Sequence, residues 1–188
     1  MSEDPLPEVT EQFARSLSPD PDEVIAEMDG KADREGFPTV GPAVGGWLRL
    51  LARLVDADEL DEAREFLDRG GYADRAVFEH GDAIEIVGEY DGPFDVVLID
   101  NEKHRYTEAF EAVRDRVPVG GVVAADNAIE AGPLDFGDVR ALLAGEDVDT
   151  NEPSRGIADY LERVRDDPDF ETGLLPLGEG VAVSVRVG

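Results

Sequence analysis

Two apolar runs, each closed by a carboxylate, constrain this chain more than any other feature. Phe94-Asp95-Val96-Val97-Leu98-Ile99 leads into Asp100-Asn101-Glu102-Lys103, and Val119-Gly120-Gly121-Val122-Val123-Ala124-Ala125 leads into Asp126-Asn127. Near-continuous apolar runs suit strands buried on both faces, as in parallel sheets. Parallel strands need crossover connections, and Tyr106 to Arg116, with Phe110 and Val113 on its inner face, reads as a helical one. The pattern predicts an α/β domain with a mostly parallel sheet and helices on its faces.

The flanks fill in the rest. Val9, Phe13 and Leu17 recur at helical spacing, and Pro21 opens a second helix with Val24, Ile25 and Met28. Gly36-Phe37-Pro38 breaks the chain, Pro42 opens a helix with Val44, Trp47, Leu48, Leu51 and Leu54 on one side, and another helix runs from about Asp58 to Arg69. Ala76-Val77-Phe78 reads as a short strand, and helices are expected near Phe136–Leu143 and Ile157–Val164. Glu171–Leu177 and Val181–Val187, joined by Gly178-Glu179-Gly180, form a C-terminal antiparallel hairpin.

Charge narrows the partners. Asp and Glu number 45 against 17 Lys and Arg, a net charge of −28. Such a surface repels phosphate, which excludes nucleic-acid binding through a basic face and disfavours anionic membranes. The acidic residues are spread along the chain, a pattern expected of a protein from a high-salt, haloarchaeal cell, where salt screens self-repulsion. With no cysteine, disulfides, thiolate zinc sites and Cys nucleophiles are excluded. No apolar run spans a bilayer, and Met1-Ser2-Glu3-Asp4 lacks the basic start of a signal peptide, so the expected location is the cytoplasm.

In open α/β sheets ligands bind at the carboxyl ends of the strands, where Asp100 and Asp126 lie. With Asn127 they offer three hard oxygen donors, suited to Mg2+ or Ca2+ rather than zinc. A single Asp there reads better as a cap for the next helix or turn; the pair with the Asn favours a site. Of the basic residues only Lys31 and Lys103 are lysines. A lysine beside a metal is pushed toward its neutral form and can act as a base, which arginine cannot easily do; a solvated helix-start residue is the alternative.

The segment Pro93 to Tyr106 closely resembles the signature of the catechol and caffeoyl-CoA type O-methyltransferases, and Gly120 to Asn127 resembles the family's next signature. Gly81-Asp82-Ala83 is similar to its adenine-facing segment, Thr39-Val40-Gly41-Pro42-Ala43 to its N-terminal cofactor lid, and Leu175 to Gly180 to its C-terminal strand pair. The resemblance implies a Rossmann-like class I methyltransferase sheet with helices on both faces, residues 1–57 forming a helical lid or cap region and 58–188 the core. It implies that Asp100, Asp126 and Asn127 hold a divalent cation, usually Mg2+, and that Lys103 accepts a proton from a catechol-like acceptor. S-adenosylmethionine would lie against Asp82, Ala83 and Asp100, with Val40 and Gly41 at its methionine end. A homodimer is the family's habit.

One departure stands out. The helix ending Leu51 to Ala57 runs straight into Asp58-Glu59-Leu60-Asp61, where the family carries a strand, a glycine-rich cofactor loop, a helix and a second strand. About thirty residues, the size of a first βαβ unit, are expected to be missing. Two readings follow: a metal-dependent O-methyltransferase of a small aromatic substrate, or a non-catalytic relative that survives as a metal-binding or oligomeric scaffold. A nucleotide-binding reductase is a weaker third, for no Gly-x-Gly-x-x-Gly follows a strand.

Overall fold

In the computed structural model of the protein, the residues described are 81–130 and 132–188, together with Ala26, Glu27, Gly30, Arg34, Val77 and Glu79. They form α1 (Ala83–Val87), β1 (Val96–Ile99), a 3-10 turn (Lys103–Arg105) running into α2 (Tyr106–Val113), and a second 3-10 turn (Arg114–Arg116). Then come β2 (Val122–Ala125), α3 (Phe136–Leu143), α4 (Glu152–Arg165), β3 (Phe170–Leu175) and β4 (Val181–Arg186). No helix among the described residues is long and apolar enough to cross a membrane.

The sheet order is β1-β2-β4-β3. β1 and β2 are parallel, while β4 runs antiparallel to both β2 and β3. Among the described residues the sheet is therefore mixed rather than mostly parallel. A tight return at Gly178-Glu179-Gly180 permits only an antiparallel hairpin, and that hairpin joins the sheet beside β2.

The two apolar runs form strands over their C-terminal parts alone. Val119-Gly120 turns instead, closed by the Gly121 N–H donating to the Pro118 carbonyl at 2.8 Å. α4 begins at Glu152 rather than near Ile157, because Asn151 accepts from the Ser154 N–H at 2.8 Å and Pro153 occupies the first turn. α1 was not expected; the Asp82 carboxylate caps it by accepting from the N–H groups of Ile84 and Glu85. Val77 is exposed and outside any strand, while Ala76 and Phe78 lie outside the described residues. Ala26, Glu27, Gly30 and Arg34 are helical; the remaining N-terminal helices, Val40, Gly41 and the expected loop deletion lie outside the described residues.

One core welds α2 and α4 to the sheet. Tyr106, Phe110 and Val113 form one stripe of α2, and Ile157, Tyr160 and Val164 one stripe of α4; all are buried. They meet Ile99, Val123, Ala125, Phe170 and Ala182 of the sheet. Tyr106 and Tyr160 pack edge to face at 5.7 Å, and Phe110 against Phe170 at 5.2 Å. Beneath this core Asp167, its side chain fully buried, accepts from Arg114 and Arg163, at 2.6 Å from the latter. The packing fixes the carboxyl ends of β1 and β2 against the N-terminal ends of α2 and α4.

Candidate active site

The strand register delivers the two carboxylates side by side. Ile99 pairs with Ala125, and the Asp126 N–H donates to the Ile99 carbonyl at 3.1 Å, so Asp100 and Asp126 leave neighbouring strands at one level. Asp126 is 3% exposed, whereas the Asp100 side chain is 47% exposed. Asn127 follows at φ 56°, a left-handed conformation that Asn tolerates better than most residues. Its N–H donates to Asp126 Oδ1 at 2.8 Å.

Lys103 projects into this oxygen-rich corner. Its Nζ donates to Asn127 Oδ1 at 2.5 Å, Tyr106 Oη at 2.7 Å and Asp100 Oδ1 at 3.2 Å. The Tyr106 hydroxyl in turn donates to the Asp126 carbonyl at 3.1 Å. The turn carrying Lys103 is pressed against α4 at Gly156. A Cβ there would stand 2.5 Å from the Lys103 carbonyl oxygen and 2.8 Å from the His104 nitrogen. A helix-interior glycine costs about 1 kcal/mol relative to alanine, and here it permits backbone-to-backbone contact.

The electrostatics follow from burial. Desolvation pushes the Asp126 carboxyl up to about 6, with Asp100 and Glu179 adding to the rise while the Asn127 N–H and Lys103 oppose it. Burial also raises the Tyr106 hydroxyl, reinforced by Asp100 and Asp126. Desolvation, then Glu130, raises the Glu179 carboxyl. A cation placed among these groups would relieve a charge the fold disfavours.

The donor set fits a hard divalent ion: two carboxylates and an amide carbonyl, with no soft ligand. Among the described residues there is no cluster of three or more His, Asp or Glu side chains placed to hold a metal, so Asn127 is needed to complete the set.

Beside this corner lies a cleft of about 550 Å³, lined by Gly81, Asp82, Ala83, Asp100, Asn101 and Arg105 among others. Arg105 Nη1 donates to Asp82 Oδ2 at 2.7 Å and holds that carboxyl below its ordinary range. Asn101 Oδ1 is buried without a hydrogen-bond partner among the described residues. An unpaired acceptor in a polar cleft suits a ligand carrying an amine or hydroxyl donor.

The structure thus groups Asp100, Lys103, Asp126 and Asn127 in one corner, and Asp82, Ala83 and Asp100 on one cleft wall. Val40 and Gly41 lie outside the described residues. Three contributors went unforeseen: Gly156, Asn101 and Glu179, whose carboxylate accepts from Asn127 Nδ2. Only Gly156 left a trace in the sequence, a glycine directly before the apolar helical spacing of Ile157 to Val164.

Comparison with known proteins bears on the family and the fold. A family model described as O-methyltransferase matches residues 43–187. Caffeoyl-CoA O-methyltransferase 2 of Petunia hybrida is 23% identical over 149 residues, covering 74% of this chain and 58% of the relative. Tricin synthase 2 of Oryza sativa subsp. japonica is 29% identical over 141 residues, covering 68% and 47%. The chain thus spans about half the length of the curated relatives it matches. Among solved structures, an O-methyltransferase from Bacillus cereus in complex with SAH superposes with a TM-score of 0.75 at 19% identity, over 95% of this chain and 97% of that one. A Streptomyces achromogenes O-methyltransferase of tomaymycin synthesis, in complex with SAM, gives 0.73 at 19% identity, over 96% of each chain. These superpositions establish a shared Rossmann-like fold. With a family match across well over half of its length, the chain belongs to the O-methyltransferase family.

Proposed function

We propose that the protein is an S-adenosylmethionine-dependent, divalent-metal-dependent O-methyltransferase acting on a hydroxyl of a small catechol-like acceptor. The observation that carries this reading is Lys103 Nζ lying between Asp100 and Asn127 at the ends of paired strands, beside the Asp82–Asn101 cleft. When bound, a Mg2+-like cation supplies positive charge that acidifies an acceptor hydroxyl, and S-adenosylmethionine supplies the methyl group. Asp100, Asp126 and Asn127 Oδ1 would hold the cation. Asp82, Ala83, Asp100 and Asn101 would hold the cofactor, with Val40 and Gly41 at its far end. Lys103 would accept the hydroxyl proton. The acceptor oxygen would take the methyl group that the cofactor supplies, and the cleft walls formed by Asp82, Ala83, Asp100 and Asn101 would align the two.

Within this reading residues 1–57 cap a core formed by residues 58–188, and the protein works as a homodimer in the cytoplasm of a high-salt cell. Nucleic acid and membranes are not partners of so acidic a surface. A non-catalytic scaffold is the second reading, favoured by the direct run from Leu51 to Asp61 where the family resemblance implies a glycine-rich loop. The test is methyl transfer to a catechol in molar KCl with Mg2+ and with EDTA. Turnover that EDTA abolishes supports the enzyme; turnover untouched by EDTA removes the metal, and no transfer to any catechol-like acceptor supports the scaffold.

A further inference from the structure

We infer that Glu179 is a positioning residue that sets which way the Asn127 amide faces, and so presents its carbonyl oxygen to the cation site. The inference rests on the metal reading above. A primary amide has one accepting and one donating end. Here the donating end, Nδ2, faces the Glu179 carboxylate, and the accepting end, Oδ1, faces Lys103 Nζ at 2.5 Å. The opposite orientation would set the amide NH2 against an ammonium and the carbonyl against a carboxylate. Two charges of opposite sign, on opposite sides of one amide, therefore leave a single favourable orientation.

The hairpin loop carrying Glu179 is docked independently of its side chain. The Glu179 carbonyl accepts from the N–H groups of Ile129 and Glu130, both at 2.9 Å, and the Gly180 carbonyl from that of Ala128 at 2.8 Å. Gly180 has φ 86°, and a Cβ there would stand 2.7 Å from Ile129 Cβ. Backbone bonds and a glycine thus clamp the β3–β4 loop onto the segment after β2. Changing the Glu179 side chain leaves that clamp in place, so its effect on the amide is separable from folding.

Partners behind a metal ligand typically alter affinity by about tenfold to a hundredfold. The test is Mn2+ binding to the full chain, read by electron paramagnetic resonance of the free ion, without cofactor or acceptor. Wild type, Glu179→Gln, Glu179→Ala, Asn127→Asp and the Asn127→Asp/Glu179→Ala double variant are compared. Glu179→Ala is expected to weaken Mn2+ about tenfold with an unchanged melting temperature. Glu179→Gln keeps an oxygen acceptor and should recover most of that loss. In the Asn127→Asp background no amide remains to orient, so Glu179→Ala should no longer weaken binding. Equal affinity of wild type and Glu179→Ala overturns the inference and leaves the metal site standing. Persistent weakening by Glu179→Ala in the Asn127→Asp background also overturns it, for Glu179 would then act on the cation directly rather than through the amide. Wild type that binds no Mn2+ overturns the metal reading itself, and this inference with it.

Discussion

Replacing Asp126 by Asn should make the metal-free protein more stable while removing its ability to hold a cation. The carboxyl is 3% exposed, and burial raises it from 3.8 to about 6. At about 1.4 kcal/mol per tenfold change in proton affinity, that rise corresponds to about 3 kcal/mol held against the fold when Asp126 is ionised. Asn keeps the acceptor for the Asn127 N–H, which lies at 2.8 Å, and carries no charge. The pH dependence has a definite sign. The unfolded chain releases this proton near 3.8 while the folded chain retains it to about 6, so the penalty develops as pH rises between those values and is complete above them. Urea unfolding in chelator and molar KCl should therefore show the Asn variant more stable by up to about 3 kcal/mol near pH 7, the gain fading as pH falls toward 4. Saturating Mg2+ should narrow or reverse the ranking, because only the wild type gains stability by binding. An Asn variant that is less stable near neutral pH, or a gain independent of pH, would refute the argument from burial.

Three further outcomes follow from the geometry. Lys103→Met should lower kcat by about a hundredfold to ten-thousandfold through loss of the proton acceptor, with S-adenosylmethionine affinity by calorimetry unchanged. Gly156→Ala places a Cβ 2.5 Å from the Lys103 carbonyl; α4 must retreat, and a thermal melt should show a loss of about 1–3 kcal/mol together with reduced turnover. Asp167→Ala strands two arginines beside a side chain of zero exposure, and chemical unfolding should show a loss of about 3 kcal/mol. Although burial opposes the Asp167 charge, its bonds from Arg114, the Asp169 N–H and Arg163 outweigh that and hold its carboxyl below 3.8. Its contribution is therefore present at neutral pH and lost as pH falls through that depressed value.

Much of the corner was legible because its residues sit within local signals. Asp100 and Asp126 close apolar runs, and strand pairing alone sets them at one level. α3 runs from Phe136 to Leu143 as its apolar spacing implies, and the C-terminal hairpin forms where its glycines predict. What was not legible depends on tertiary approach. Glu179 meets Asn127 across 52 positions of sequence, and nothing local to either residue announces it. Asn101 has meaning only as a buried acceptor in a cleft whose other wall begins at Gly81. The early start of α4 was readable in principle, for Asn151-Glu152-Pro153-Ser154 is a cap followed by a first-turn proline, but periodicity drew the boundary to Ile157.

The most direct test of the central claim is a calorimetric titration of S-adenosylmethionine into the wild-type protein in molar KCl with Mg2+. Micromolar binding, weakened when Asp82 is replaced by Ala, is the predicted result and would place the cofactor in the cleft beside the Asp100–Asp126 corner. A folded protein that binds no S-adenosylmethionine would contradict the account and leave the scaffold reading in its place.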